Sequence, residues 1–267
     1  MKTLFKRLIT DFHESPPKQL IPRNYAIPLN SRKIISLIGV RRSGKTFLLY
    51  TLIQQLRQQV DPYNIVYINF EDDRLYPLSL KDLDNLIDAY FELYPHKRED
   101  KLYFFLDEIQ NVSEWERFVR RIYDTLNLQI FVTGSSSKLL SFEIATSLRG
   151  RTLSFEVFPF SFKEYLAYKK IDINFDSSKS LSFIKNAFSI YLQAGGFVET
   201  FDEPSDIQKK ILRDYLDLIV YRDIIERYQL KNRVLLKHLI KYAFSNIGTL
   251  VSLNKLYNED NNFIDIC

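Results

Sequence analysis

The 267-residue chain has a single cysteine, Cys267, at its last position, which excludes a disulfide framework and a thiolate metal site. Its three histidines, His13, His96 and His238, are too widely separated to form a ligand pattern. No apolar run approaches the length of a membrane span, and the stretch Met1 to Arg7 lacks the apolar core and cleavage site of a secretory leader. A reducing cytoplasm is therefore the expected compartment, with no membrane partner. Charge of one sign is also lacking: 37 basic and 33 acidic residues leave a net charge of +4, compatible with nucleic acid without arguing for it. What the chain has is 46% hydrophobic residues, enough to bury a core and to exclude a disordered protein.

Glycine is scarce, 7 of 267 residues, which makes the pair in Gly39-Val40-Arg41-Arg42-Ser43-Gly44-Lys45-Thr46 informative. The octet follows the apolar run Ile34 to Ile38 and precedes the helical pattern Phe47-Leu48-Leu49-Tyr50. It fits the phosphate-binding loop G-x-x-x-x-G-K-[ST]. Two glycines let the backbone wrap a polyphosphate, and the following helix turns its free N–H groups toward the same oxygens. The pattern gives Gly39, Arg42, Ser43, Gly44, Lys45, Thr46 and Phe47 to nucleotide binding, with Lys45 reaching the β- and γ-phosphates and Thr46 holding Mg²⁺. The pattern does not explain why Arg41 and Arg42 are arginines; they add positive charge around the phosphates or face a neighbouring subunit.

Residues 1–30 read as a short amphipathic helix and a proline-containing lead-in, with Pro16, Pro17, Pro22 and Pro28. Arg23 and Tyr25 are either adenine contacts or ordinary packing residues. A helix from Lys45 to about Gln59 precedes a buried strand, Asn64 to Phe70, which ends in Glu71-Asp72-Asp73. That cluster is either a solvated turn or faces a nucleotide or partner. Ser79 to Tyr94 reads as a core-packing helix.

Leu102 to Leu106 runs into Asp107-Glu108, the pattern of a Walker B strand. Asp107 is the candidate metal residue, and Glu108 the candidate base that polarises water for in-line attack. Gln110 senses the phosphate state or opens a helix. Ser113 and Glu116 have capping-box spacing, and Trp115 begins a core-facing stripe. The next strand, Gln129 to Thr133, ends in Gly134 and three serines; Thr133 and Ser135 are γ-phosphate sensor candidates, or a turn and cap for a helix over 138–147. Arg149 and Arg151, before a fifth strand at 152–157, are candidates for an arginine finger acting in cis or in trans.

The stretches 39–46, Phe105 to Gln110, Thr133 to Ser141, Leu148 to Arg151 and Phe158 to Leu166 together resemble the prokaryotic AAA-type ATPases of the archaeal-ATPase kind. In that family an ATPase module is followed by a domain of unknown function. The resemblance covers about residues 20–170. It implies nucleotide and metal binding by Lys45 and Thr46, the metal at Asp107, the water at Glu108, sensing at Ser135 and a finger-like role for Arg151.

The expected fold is an α/β P-loop NTPase three-layer sandwich with a mostly parallel five-stranded sheet in the order 5-1-4-3-2, followed by a smaller helical domain. The expected divisions are a lead-in over 1–30, the ATPase domain over 31–160 and helices over 161–267. The last part includes a capped helix at Ser161, a helix over 181–193, a long amphipathic helix from Ser205 to Tyr228, and a basic helix from Leu230. Residues 249–257 resemble the start of a winged-helix unit that has no sequence left to complete it, so the chain is expected to be truncated. Two functions follow: an ATPase using ATP and Mg²⁺ to drive or time a conformational change, or a slow nucleotide-dependent switch or scaffold binding DNA or protein. Homo-oligomerisation is compatible with both.

Overall fold

The computed structural model describes residues 1–135, 148–226, 229–250 and 252. Five strands form one sheet: β1 (Ile34–Gly39), β2 (Ile65–Asn69), β3 (Leu102–Asp107), β4 (Leu128–Ser135) and β5 (Thr152–Glu156). Every pairing is parallel, and the order is β2-β3-β4-β1-β5, in agreement with the order expected from sequence. Strands covered on both faces need apolar residues at successive positions, and all six residues of β1 and of β3 are buried.

Alternation divides those residues between two cores. Ile34, Val66, Ile68, Phe104, Leu106, Ile130 and Val132 face one layer, with helices α1 (Lys2–Glu14), α3 (Asp84–Leu93) and α4 (Trp115–Thr125). Ile35, Leu37, Phe105 and Phe131 face the other, where α2 (Lys45–Arg57) lies. Phe105 and Phe131 stack there with ring centroids 4.4 Å apart. Trp115 is 3% exposed and is a core anchor, as its spacing predicts.

Helices α5 (Phe162–Tyr168), α6 (Ser178–Ala194) and α7 (Ser205–Leu218) follow the sheet. Ser161 and Glu164 form the expected capping box at α5. Phe160, Tyr165, Leu166, Ile184, Ala187 and Phe201 build a third, smaller core. Residues 1–219 form one compact unit and the chain from Val220 a second, which contains α8 (Arg233–Ser245).

Two local expectations are corrected. Ser113 does not cap α4; Glu114, at φ 59°, turns the chain into Trp115, and its carboxylate pairs with Arg117 instead. The helix from Ser205 ends its α-helical course at Leu218 and continues as a π-helical stretch over Ile219–Glu226. The helix expected over 138–147 and the segment 253–257 lie outside the described residues. Among the described residues no helix is long and apolar enough to cross a membrane.

Candidate functional site

The phosphate loop joins the end of β1 to the start of α2 at the C-terminal edge of the sheet. Gly39 passes so close to the strand beside it that a Cβ there would lie 2.2 Å from the Val157 carbonyl oxygen. Gly44, at φ 94° and ψ 19°, takes the left-handed conformation that opens α2. Lys45, only 4% exposed, donates through Nζ to the carbonyls of Gly39 (3.1 Å) and Val40 (3.2 Å). The same ammonium lies 3.6 Å from Oε1 of Glu108. Ser43 is buried and its hydroxyl has no protein partner, leaving a polar atom inside the loop.

Asp107 ends β3 beside the loop, 1% exposed. Its carboxylate accepts from two hydroxyls, Thr133 on Oδ1 and Tyr67 on Oδ2 at 2.9 Å, and the Thr46 hydroxyl lies close by. Burial pushes its pKa up and these hydroxyls pull against that shift. Glu108 follows in the left-handed region, φ 52° and ψ 42°. Its N–H donates to Thr133 Oγ1 at 2.9 Å, and Gln110 Nε2 donates to its Oε2. One buried hydroxyl, Thr133, thus fixes the side chain of Asp107 and the backbone of Glu108 together. The side chain of Ser135 lies outside the described residues; its backbone pairs with Gly39.

The arginines separate. Arg23 is not free for a base: its side chain is 2% exposed and pairs with Glu164 at 2.8 Å, while also donating to Ser43 O (2.9 Å) and Phe158 O (2.7 Å). It staples the lead-in and α5 to the phosphate loop. The hydroxyl of Tyr25 likewise accepts from the Phe158 N–H at 2.9 Å. Arg41 pairs with Glu71 at 3.2 Å, so that one acid of the 71–73 cluster faces the loop, while Asp72 pairs with Arg74. Arg42 reaches Glu199. For Arg151 the structure bears on the cis role alone. It precedes β5 at the N-terminal edge of the sheet, bonded to Asp124 at 3.0 and 3.1 Å. Six residues of strand rise, roughly 20 Å, separate that edge from the loop, so Arg151 cannot act on its own chain's phosphates. Arg149 is exposed beside it.

Phe47 is 57% exposed and borders a pocket with Ile21, Gly44, Phe160 and Val198. No group of three or more His, Cys, Asp or Glu suited to a metal occurs among the described residues.

Residues 31–166 match the model of the AAA domain family, half of the chain. The chain belongs to the AAA family of P-loop ATPases. An uncharacterized protein of Methanocaldococcus jannaschii is 40% identical over 264 residues, 96% of this chain and 57% of that one. A second uncharacterized relative, from Haemophilus influenzae, is 39% identical over 230 residues, 85% of this chain and 54% of its own length. The chain thus spans little more than half of these relatives. Among solved structures it is similar to AMPPCP-bound DnaA from Aquifex aeolicus, at 14% identity and TM-score 0.40, covering 86% of this chain and 70% of that one.

In this AAA protein, sequence reasoning missed Tyr67 and the staple at Arg23. A tyrosine among the apolar residues Ile65, Val66 and Ile68, paired with Phe105 two residues before Asp107, is the available signal for the first. Its hydroxyl is bonded to Asp107 beside the Tyr50 ring, and burial pushes its pKa far up, so it donates as a neutral phenol. Nothing near Arg23 in the sequence announces Glu164, 141 residues away. Burial works against the Glu164 carboxylate, yet the bonds from Arg23, Asn24 and Ser161 outweigh it and hold its pKa below the usual range.

Proposed function

We propose that this chain binds ATP with Mg²⁺ and hydrolyses it to ADP and phosphate, driving or timing a conformational change. The observation that carries the reading is the buried constellation of Lys45, Asp107, Glu108 and Thr133 at the phosphate-loop edge of the sheet. Charged groups are costly to bury unless they serve one another or a ligand. Here a cation and two carboxylates converge where a helix N-terminus turns toward the loop, and a triphosphate matches that arrangement.

Thr46 and Asp107 are hard oxygen donors, the kind Mg²⁺ accepts from a protein while substrate oxygens and water fill its remaining positions. They would hold the ion, which supplies charge neutralisation at the phosphates. Lys45 binds the phosphates. Glu108 accepts the proton of the attacking water, with its backbone fixed by Thr133. The apolar walls of Ile21, Phe47 and Phe160 support a place for the base beside Gly44.

A second reading, a slow switch with little turnover, is favoured by one contact: Gln110 already engages Oε2 of Glu108, which leaves one carboxylate oxygen to serve as a base. Steady-state turnover with and without DNA separates the two. The nucleotide reading itself is tested by equilibrium binding of Mg-ATP to the Lys45→Ala variant. Binding should fall by at least a hundredfold, and undiminished binding overturns the assignment of the loop.

A further inference from the structure

Arg42 is the third of the four residues between the loop's glycines, and it sits at φ 63°, where a side chain is strained. Its guanidinium makes two bonds to Glu199, at 2.8 and 2.9 Å, and lies over the Tyr215 ring at 4.8 Å. Glu199 belongs to the short 3-10 turn Val198–Thr200, and Tyr215 to α7. That corner is well built. Thr200 Oγ1 has the carbonyls of Phe197 (2.7 Å) and Ala194 (3.0 Å) within reach of its one hydrogen, Gln208 Nε2 donates to Thr200 O (2.9 Å), and the rings of Phe197 and Tyr215 meet edge to face. A residue of the phosphate loop is thus tethered to the helical segment that follows the sheet.

Arg42 and Glu199 are both about half exposed, at 48% and 47% of their side chains, so the pair can exchange partners. A planar guanidinium bonds a carboxylate and a phosphate through the same fork. We propose that Glu199 and Tyr215 are positioning residues for the phosphate loop: they hold Arg42 until a nucleotide phosphate takes it. Occupancy of the loop and docking of the segment 197–218 then oppose one another. The inference rests on the loop's being a nucleotide site, and it gives the conformational change a physical object, the turn at Glu199 with α7. By reciprocity, whatever factor the tether costs nucleotide binding, nucleotide costs the tether.

The test compares wild type with Glu199→Gln, a half-exposed position where the amide preserves shape. Binding of a non-hydrolysable ATP analogue and of ADP, both with Mg²⁺, is measured beside hydrogen exchange over 197–218. Glu199→Gln should bind the analogue about fivefold more tightly, the scale of a partly exposed ion pair, with a smaller gain for ADP. Tyr215→Leu, which keeps the ion pair and loses the ring, should move affinity the same way by about twofold. In wild type the analogue should speed exchange over 197–218, whereas in Glu199→Gln exchange there should be fast with or without it. If wild type binds the analogue and Glu199→Gln binds it no more tightly, or if the analogue leaves exchange over 197–218 unchanged, the tether is overturned while the ATP reading stands. If wild type binds no nucleotide, both fall.

Discussion

At the C-terminal ends of β1, β3 and β4, Lys45, Asp107, Glu108 and Thr133 are all between 0% and 8% exposed and are held by one another or by nearby backbone. At the N-terminal end, Arg151 and Asp124 form an equally direct pair, yet their side chains keep 33% and 47% of their surface in water. The chemistry of the groups is similar and the cost of placing them is not. Withdrawing charge from water is expensive, so a buried cluster persists only if its members satisfy each other or await a ligand, whereas a surface pair exchanges water for a partner at almost no net gain. Burial therefore separates the end of the sheet whose charges are withdrawn from water from the end whose charges stay in it.

Substitutions should respect that difference. The largest stability loss is expected at the staple under the loop: Arg23→Ala strands a buried carboxylate at Glu164 and should cost about 3–5 kcal/mol in denaturant unfolding. Thr133→Val removes the donor to Asp107 and the acceptor of the Glu108 N–H. It should cost about 2–3 kcal/mol and lower turnover more than it lowers nucleotide affinity, which kcat and binding measurements resolve. At the opposite edge, Arg151→Ala should cost less than about 1 kcal/mol and leave Mg-ATP affinity unchanged. A comparable loss at both edges would break the contrast.

The smallest effect concerns His13, beside the first residue of β2, bonded to Tyr94 Oη (2.9 Å) and Ile65 O (2.8 Å). Burial lowers its pKa first of all, Arg57 pushes the same way, and the Ile65 carbonyl and Asp61 oppose them. A base whose folded pKa is depressed contributes stability that is present above its ordinary value of 6.5 and lost as pH falls through the folded value. His13→Gln should therefore flatten the decline of stability below pH 6.5 seen in unfolding curves.

The legible features were those in which local chemistry and position coincide. The apolar runs of β1 and β3 had to be covered on both faces, and the glycine pair before Lys45 had to be a close wrap, so strand order and loop followed. Less legible were contacts between residues far apart in sequence. Arg151 stays at the N-terminal edge, to which a parallel sheet returns each connection, so of the two finger readings the one within its own chain is excluded and the one toward a neighbouring subunit is left. Arg42 was legible as charge around the phosphates or toward a neighbouring subunit, but its partner Glu199, 157 residues away, was not. Thr133 could be read as a sensor or a turn residue, and only the register of β4 against β3 makes it the hydroxyl between Asp107 and Glu108.

The central claim is that the buried edge is a hydrolytic site with Glu108 as its base. The most direct measurement compares wild type and Glu108→Gln in two assays, Mg-ATP binding at equilibrium and release of phosphate at saturating ATP. Binding within about threefold of wild type, with turnover reduced by about a hundredfold or more, is the predicted result. Equal turnover in the two proteins would contradict it.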